Sequence, residues 1–168
     1  MRSRKGEIGI SVVGRLPGHF AVTRRQLAEA AAFFAWRSRS RTAFAWHEVV
    51  VHLVRDLESD AVHRAVMGMS GATDVITQAY DAIPPESPGI FGELFVNTDM
   101  ALRAAPRRRG WSATHELLLY IAHGMDHLSG ADDHSPEDYL AMRRRELSWL
   151  RSLRSKLPIP SGQPVTGE

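Results

Sequence analysis

The chain contains no cysteine, which excludes a disulfide framework and every thiolate metal site, so a transition metal here must be held by His, Asp or Glu. It also lacks an apolar run approaching the ~20 residues that a membrane-crossing helix needs. Met1-Arg2-Ser3-Arg4-Lys5 leads into a short strand-like stretch and not into a signal-peptide apolar region. The expected location is therefore the cytoplasm, with no membrane contact. Excess charge of one sign is also scarce, because 21 Lys and Arg against 19 Asp and Glu leave a net charge of only +2. That balance does not mark the whole surface as a polyanion-binding one. The clusters Arg107-Arg108-Arg109 and Arg143-Arg144-Arg145 leave room for phosphate contacts, although such triplets are more often solvated helix faces. No repeat, low-complexity block or linker divides the chain.

What is present suits a globular protein. The 168 residues, 43% of them hydrophobic and 24% charged, are enough for one domain that buries roughly 70% of its surface on folding. Glu7 to Val13 reads as a strand closed by the turn cluster Gly14-Arg15-Leu16-Pro17-Gly18. Thr23 and Gln26 form a capping box, with Leu27, Ala30, Ala31 and Phe34 on one helical face. Val-rich Glu48 to Val54 reads as a strand, and Ser59 as the cap of a short helix ending at Gly68. Asp74 to Thr77 and Phe91 to Val96 read as strands flanking a loop over Ile83 to Gly89, with Asn97 or Thr98 capping the next helix. Trp111 to Leu128 is helical throughout, and Ser135-Pro136-Glu137-Asp138 opens a last helix running to about Leu153. The order β-α-β-α-β-β-α, followed by the two long helices, predicts an α/β (α+β) single domain over residues 1–157. Its mixed four-stranded sheet is covered by about five helices, with residues 158–168 as a tail.

Chemistry concentrates in His123-Gly124-Met125-Asp126-His127-Leu128-Ser129-Gly130-Ala131-Asp132-Asp133-His134. Imidazoles four residues apart on a helix project from one face and can share an ion at about 2.0–2.1 Å each. Gly130 lets the helix stop and the chain turn back toward that face. A third donor at Asp133 or His134 then completes a set of three ligands for one zinc ion, leaving a fourth position open, as catalytic sites do. The spacing is close to the long zincin motif, but Gly124 stands where that motif carries its general-base Glu. Asp126 is the candidate substitute base, and a zincin-like metallopeptidase is the alternative enzyme.

The His-Gly-x-x-His-x-x-Gly form resembles the YbeY-type endoribonucleases. Thr73-Asp74-Val75, Gly92-Glu93-Leu94-Phe95-Val96 and Glu116, seven residues before His123, extend the likeness over about Glu48 to Leu153. The resemblance implies a zinc-dependent endoribonuclease that cuts single-stranded ribosomal RNA in maturation and quality control, with small-subunit ribosomal proteins as possible partners. In that family the third ligand stands six residues after the second His, a register that falls on Asp133 here, with His134 one place late. The family's phosphate-binding Arg before the Gly that precedes Thr-Asp-Val is replaced by Met67. This leaves Arg64, one helical turn earlier, as the candidate, and His63 as a brace of the local turn. A ribosome-associated factor with structural zinc and little catalysis is the alternative that this replacement raises.

Overall fold

The structure is a computed structural model that describes residues 8–38, 46–81, 90–107 and 109–157. The loop expected at 83–89 and the tail expected at 158–168 lie outside them. The elements are β1 (Gly9–Gly14), α1 (Arg24–Ser38), β2 (Trp46–Val54), α2 (Asp56–Met67), β3 (Val75–Asp81), β4 (Ile90–Asn97), α3 (Thr98–Ala104), α4 (Ala113–Leu128) and α5 (Pro136–Arg154), with a 3-10 turn at Ala105–Arg107. This is the expected four-stranded sheet with five helices.

The strands lie in the order β1-β2-β4-β3. β1, β2 and β4 run parallel and β3 antiparallel to β4, with Val12 beside Val51, Val51 beside Leu94, and Val75 beside Val96. Strand side chains alternate between the two faces. Val49, Val51, Leu53, Leu94 and Val96 are all buried in one core with α1 and α4. The alternate positions form a polar network on the opposite face, where Glu93 bridges His52 Nε2 at 2.9 Å and the Tyr80 hydroxyl at 2.8 Å.

Local chemistry sets the helix ends. Asn97 caps α3 by accepting from the Met100 amide at 3.0 Å, Ser112 caps α4 and Ser135 caps α5 with Pro136 in its first turn. α4 therefore begins at Ala113 and not at Trp111, since Ser112 is its non-helical cap. One expected cap is corrected: α2 starts at Asp56, one turn before Ser59, with Arg55 as its N-cap and Glu58 reaching back to the Arg55 amide at 2.8 Å. Ser59 lies inside the helix, and its hydroxyl serves a tertiary contact instead, exchanging 3.1 Å hydrogen bonds with the backbone N–H and carbonyl of Thr73. That contact ties α2 to the start of β3.

α4 is the central element. It packs against α1, α3, α5, β3 and β4, so every residue from Thr114 to Asp126 is buried. A helix enclosed on all sides must satisfy each polar side chain it carries. Glu116 accepts from the Trp111 indole at 2.6 Å, and Asp126 meets Arg145 at 2.6 Å; His115 shares a 2.6 Å bond with Ser112 through Nδ1 only, its buried Nε2 having no hydrogen-bond partner among the described residues. His123 meets Glu146.

Candidate metal centre

His123 and His127 sit one turn apart near the C-terminal end of α4, where the helix leaves the packed core. The helix stops in a Schellman motif: the Gly130 amide donates to the His127 carbonyl at 2.8 Å and the Ala131 amide to the Asp126 carbonyl at 3.1 Å. Gly130 takes φ 88° there, a left-handed conformation that glycine adopts without the Cβ penalty of other residues. The reversal returns the chain to the histidine face and brings two groups with it. The Ala131 carbonyl accepts from His127 Nδ1 at 3.0 Å. The Asp133 carboxylate comes within 3.7 Å of His123 Nε2 and 3.8 Å of His127 Nε2.

The hydrogen bonds define where the protons are. A carbonyl only accepts, so His127 carries its proton on Nδ1. His123 Nδ1 lies 2.7 Å from Glu146 Oε1, and an ionised carboxylate likewise only accepts. With both Nδ1 atoms donating, each neutral ring presents a lone pair at Nε2, and these two atoms face each other at 3.1 Å. Two lone pairs and a carboxylate converging on one point repel one another unless positive charge, a proton or a metal ion, lies between them. Tetrahedral coordination at 2.0–2.1 Å would separate neighbouring donors by about 3.3 Å, close to the separations found. The donor set of His123, His127 and Asp133 thus fits a divalent ion, and among the described residues this is the group whose ligand atoms all lie within 4.8 Å of one another.

Burial alone would push the His123 imidazole to a lower pKa, but the hydrogen bond and negative charge of Glu146, with Asp74 adding to them, outweigh it and raise the value. The surroundings of this ring thus favour positive charge there, carried either by a proton or by a cation at Nε2. Glu146 itself is fully buried at 0% exposure, and its second oxygen lies 3.4 Å from Arg143 Nη1.

The other expected site residues fall elsewhere. His134 is exposed and paired with Asp132, so of the adjacent pair the structure brings Asp133 to the histidines. Asp126 faces away into a two-pronged pair with Arg145, 2.9 Å to Nε and 2.6 Å to Nη2, and is not part of the three-residue cluster. Arg64 is exposed on α2 and bound to Asp60 at 3.0 Å. His63 Nδ1 meets the Gly71 carbonyl at 2.8 Å, bracing the turn after α2. Arg107 and Arg109 are exposed, and Arg108 lies outside the described residues.

Gly124 is explained by packing. A Cβ there would stand 2.8 Å from Leu94 Cδ2 and 3.0 Å from Val75 Cγ2, so this position looks onto the sheet and not toward the metal cluster. Sequence reasoning missed Glu146, Arg143 and Arg145, reading the two arginines as surface cations. The available signal was Glu146 itself, a charged residue in the buried α5 stripe of Met142, Trp149, Leu150 and Leu153.

Comparison with known proteins agrees with this architecture. A solution structure of a Thermotoga maritima protein superposes with a TM-score of 0.55 at 20% identity, covering 95% of this chain and 99% of that one. This likeness concerns the fold. A protein of Rhodopirellula baltica named endoribonuclease YbeY is 33% identical over 121 residues, 71% of this chain and 61% of its own. One of the same name from an Anaeromyxobacter species is 33% identical over 132 residues, 79% of this chain and 65% of its own. The chain thus spans under two thirds of the length of these relatives. The family model described as endoribonuclease YbeY matches residues 21–154, a stretch that contains α4, the Gly130 bend and all three converging side chains, and on that match the chain belongs to the YbeY family.

Proposed function

We propose that the chain is a zinc-dependent endoribonuclease that cuts single-stranded ribosomal RNA during rRNA maturation and ribosome quality control in the cytoplasm, working beside small-subunit ribosomal proteins. The observation that carries this reading is the pair of Nε2 lone pairs of His123 and His127 facing each other at 3.1 Å with the Asp133 carboxylate beside them. One zinc per chain would be held by these three side chains. When bound, it supplies Lewis acidity, activating water near neutral pH and polarising a phosphoryl oxygen. The chain's own residues do the rest. Glu146 and the Ala131 carbonyl orient the two imidazoles, and the buried α4 scaffold holds both ligands on a rigid element. RNA bound through backbone phosphates should dissociate steeply as salt rises.

The test is cleavage of single-stranded ribosomal RNA by purified zinc-loaded protein. Activity should vanish with a chelator, return with zinc, and be absent in His123→Ala and Asp133→Ala. Cleavage that persists in the chelated protein and in both variants would refute the mechanism.

A second reading draws on Arg64. Its guanidinium is engaged by Asp60 on the same helix, and Met67 is exposed without a charge to offer, which supports a ribosome-associated factor with structural zinc and little turnover. Met67→Arg separates the two, since a gain in RNA cleavage would identify the missing group. The position of Gly124 against the sheet speaks against a peptidase, which would need a carboxylate there aimed at the ion.

A further inference from the structure

The interior of this protein holds a charge that the ligand set does not require. Glu146 is on the inner face of α5, at 0% exposure among Met142, Trp149, Leu150 and Leu153. A buried carboxylate is costly unless paired and hydrogen-bonded. Its Oε1 takes the 2.7 Å bond from His123 Nδ1. Its Oε2 has no hydrogen-bond partner among the described residues and only an ion contact, 3.4 Å to Arg143 Nη1. Arg143 is itself drawn inward, its side chain 18% exposed and its guanidinium 5.5 Å from the Tyr139 ring centre. Orienting His123 requires only an acceptor, and the neutral Ala131 carbonyl suffices for His127 at 3.0 Å. The two imidazoles of one site are therefore supported unequally, one by a neutral dipole and one by a full negative charge.

We infer that Glu146, with Arg143 as its counter-ion, is a positioning residue that acts through His123: its charge makes the imidazole a stronger electron-pair donor at Nε2 and tightens the hold on the cation beyond what the three ligands alone provide. A carboxylate behind a ligating histidine fixes the ring's tautomer and raises its basicity, and removing such a partner weakens metal binding by roughly 10–100-fold. Arg143 lies 3.4 Å from Glu146 on the side away from His123. Arg143, Arg144 and Arg145, contiguous in sequence, thus divide their work, since Arg143 turns to Glu146, Arg145 turns to Asp126, and Arg144 stays exposed.

This inference rests on the metal reading above, and its test keeps the two apart. Glu146→Gln preserves shape and the hydrogen-bond acceptor while removing the charge. Zinc affinity of the full chain is measured by competition with a chromophoric chelator, and cobalt(II) in place of zinc reports the ligand field by its visible absorption. Glu146→Gln should bind zinc about 10–100-fold more weakly and shift the cobalt bands, with the helical circular dichroism of the metal-free protein unchanged. Affinity within twofold of the parent and superimposable cobalt spectra would overturn the role of Glu146 while leaving the site intact. Binding of neither ion by the parent would instead remove the metal reading and this inference with it. A measurement on the parent alone guards against a variant that does not fold. Nitrogen-15 spectra of the zinc-loaded imidazoles should show His123 protonated at Nδ1 and ligated through Nε2, and the reverse arrangement would overturn the proposal.

Discussion

Replacing Gly124 by alanine tests how α4 is seated. The added methyl would lie 2.8 Å from Leu94 Cδ2 and 3.0 Å from Val75 Cγ2, inside normal contact distance for carbon. Leu94 is at 0% exposure in the main core, so it has no free space to swing into, and the helix must move off the sheet or the leucine must leave its rotamer. Overpacking of this kind costs about 1–3 kcal/mol. Alanine regains about 0.5–1 kcal/mol over glycine in a helix interior. The expected net effect is destabilisation by about 1 kcal/mol, equivalent to a fall of about 2–4 °C in Tm for a chain of this size.

Urea unfolding of the metal-free parent and Gly124→Ala measures the difference, with equal slopes required for the comparison. Gly124→Glu should fail to reach a cooperative fold, because an acid would be forced between α4 and the sheet. A Gly124→Ala protein as stable as its parent, or a folded Gly124→Glu, would show that the helix is not pinned to β3 and β4 at this point. The packing explanation for the missing zincin glutamate would then be wrong.

Four further outcomes follow from the same geometry. Asp133→Ala should lose most zinc affinity while His134→Ala keeps it, as read by chelator competition; equal losses would mean that the bend delivers both residues. Zinc at 100 times its dissociation constant should stabilise the fold by ~2.7 kcal/mol, raising Tm by roughly 5–11 °C in calorimetry, an increase that a chelator reverses. Arg145→Ala should cost about 2 kcal/mol in urea unfolding, because it takes the guanidinium from the fully buried Asp126, less than the roughly 3–5 kcal/mol of a fully buried pair since Arg145 itself is partly exposed. His115, buried and near the positive charge of Arg154, has its pKa lowered by burial first and by that charge second. The folded state therefore binds fewer protons there than the unfolded one, so its contribution is full above about pH 6.5 and declines as pH falls toward the folded value. The metal-free parent should thus lose stability more steeply from pH 7 to pH 5 than His115→Asn, and parallel slopes would contradict this.

What the sequence revealed was what short-range chemistry decides. The cap residues Asn97, one of two candidates, and Ser135, the histidine pair on one helical face and the break at Gly130 all depend on neighbours within about five positions, and periodicity and turn chemistry read that range well; the Ser112 cap was passed over because the helical pattern ran on through it to Trp111. Ser59 failed as a cap because Thr73, fourteen positions away, claims its hydroxyl. The Arg143–Glu146 pair is local, yet its meaning is not, since its partner His123 lies 23 positions back. Only the packing of α5 on α4 turns a basic triplet into two inward-facing counter-ions. Gly124 could be read by sequence only as a missing glutamate, because the strands it abuts are remote in the chain.

The register six residues after His127 points to Asp133 over His134, and the structure shows what brings Asp133 to the histidines. Imidazole is a common metal ligand and His134 is the nearer match by residue type, but the helix stop sets the geometry. The Schellman motif fixes the direction of the chain at Ala131, whose carbonyl is used at once to orient His127. Asp133 then falls at 3.7 and 3.8 Å from the two Nε2 atoms, while the next residue has already turned outward to Asp132. With a metal bound as proposed, the Asp133 carboxylate would add one negative charge among the ligands where a three-histidine site would have none, and Glu146 would add a second behind His123. More negative charge would strengthen the hold on an ion and weaken its Lewis acidity together, so on the proposed reading this arrangement would exchange reactivity for retention of the metal.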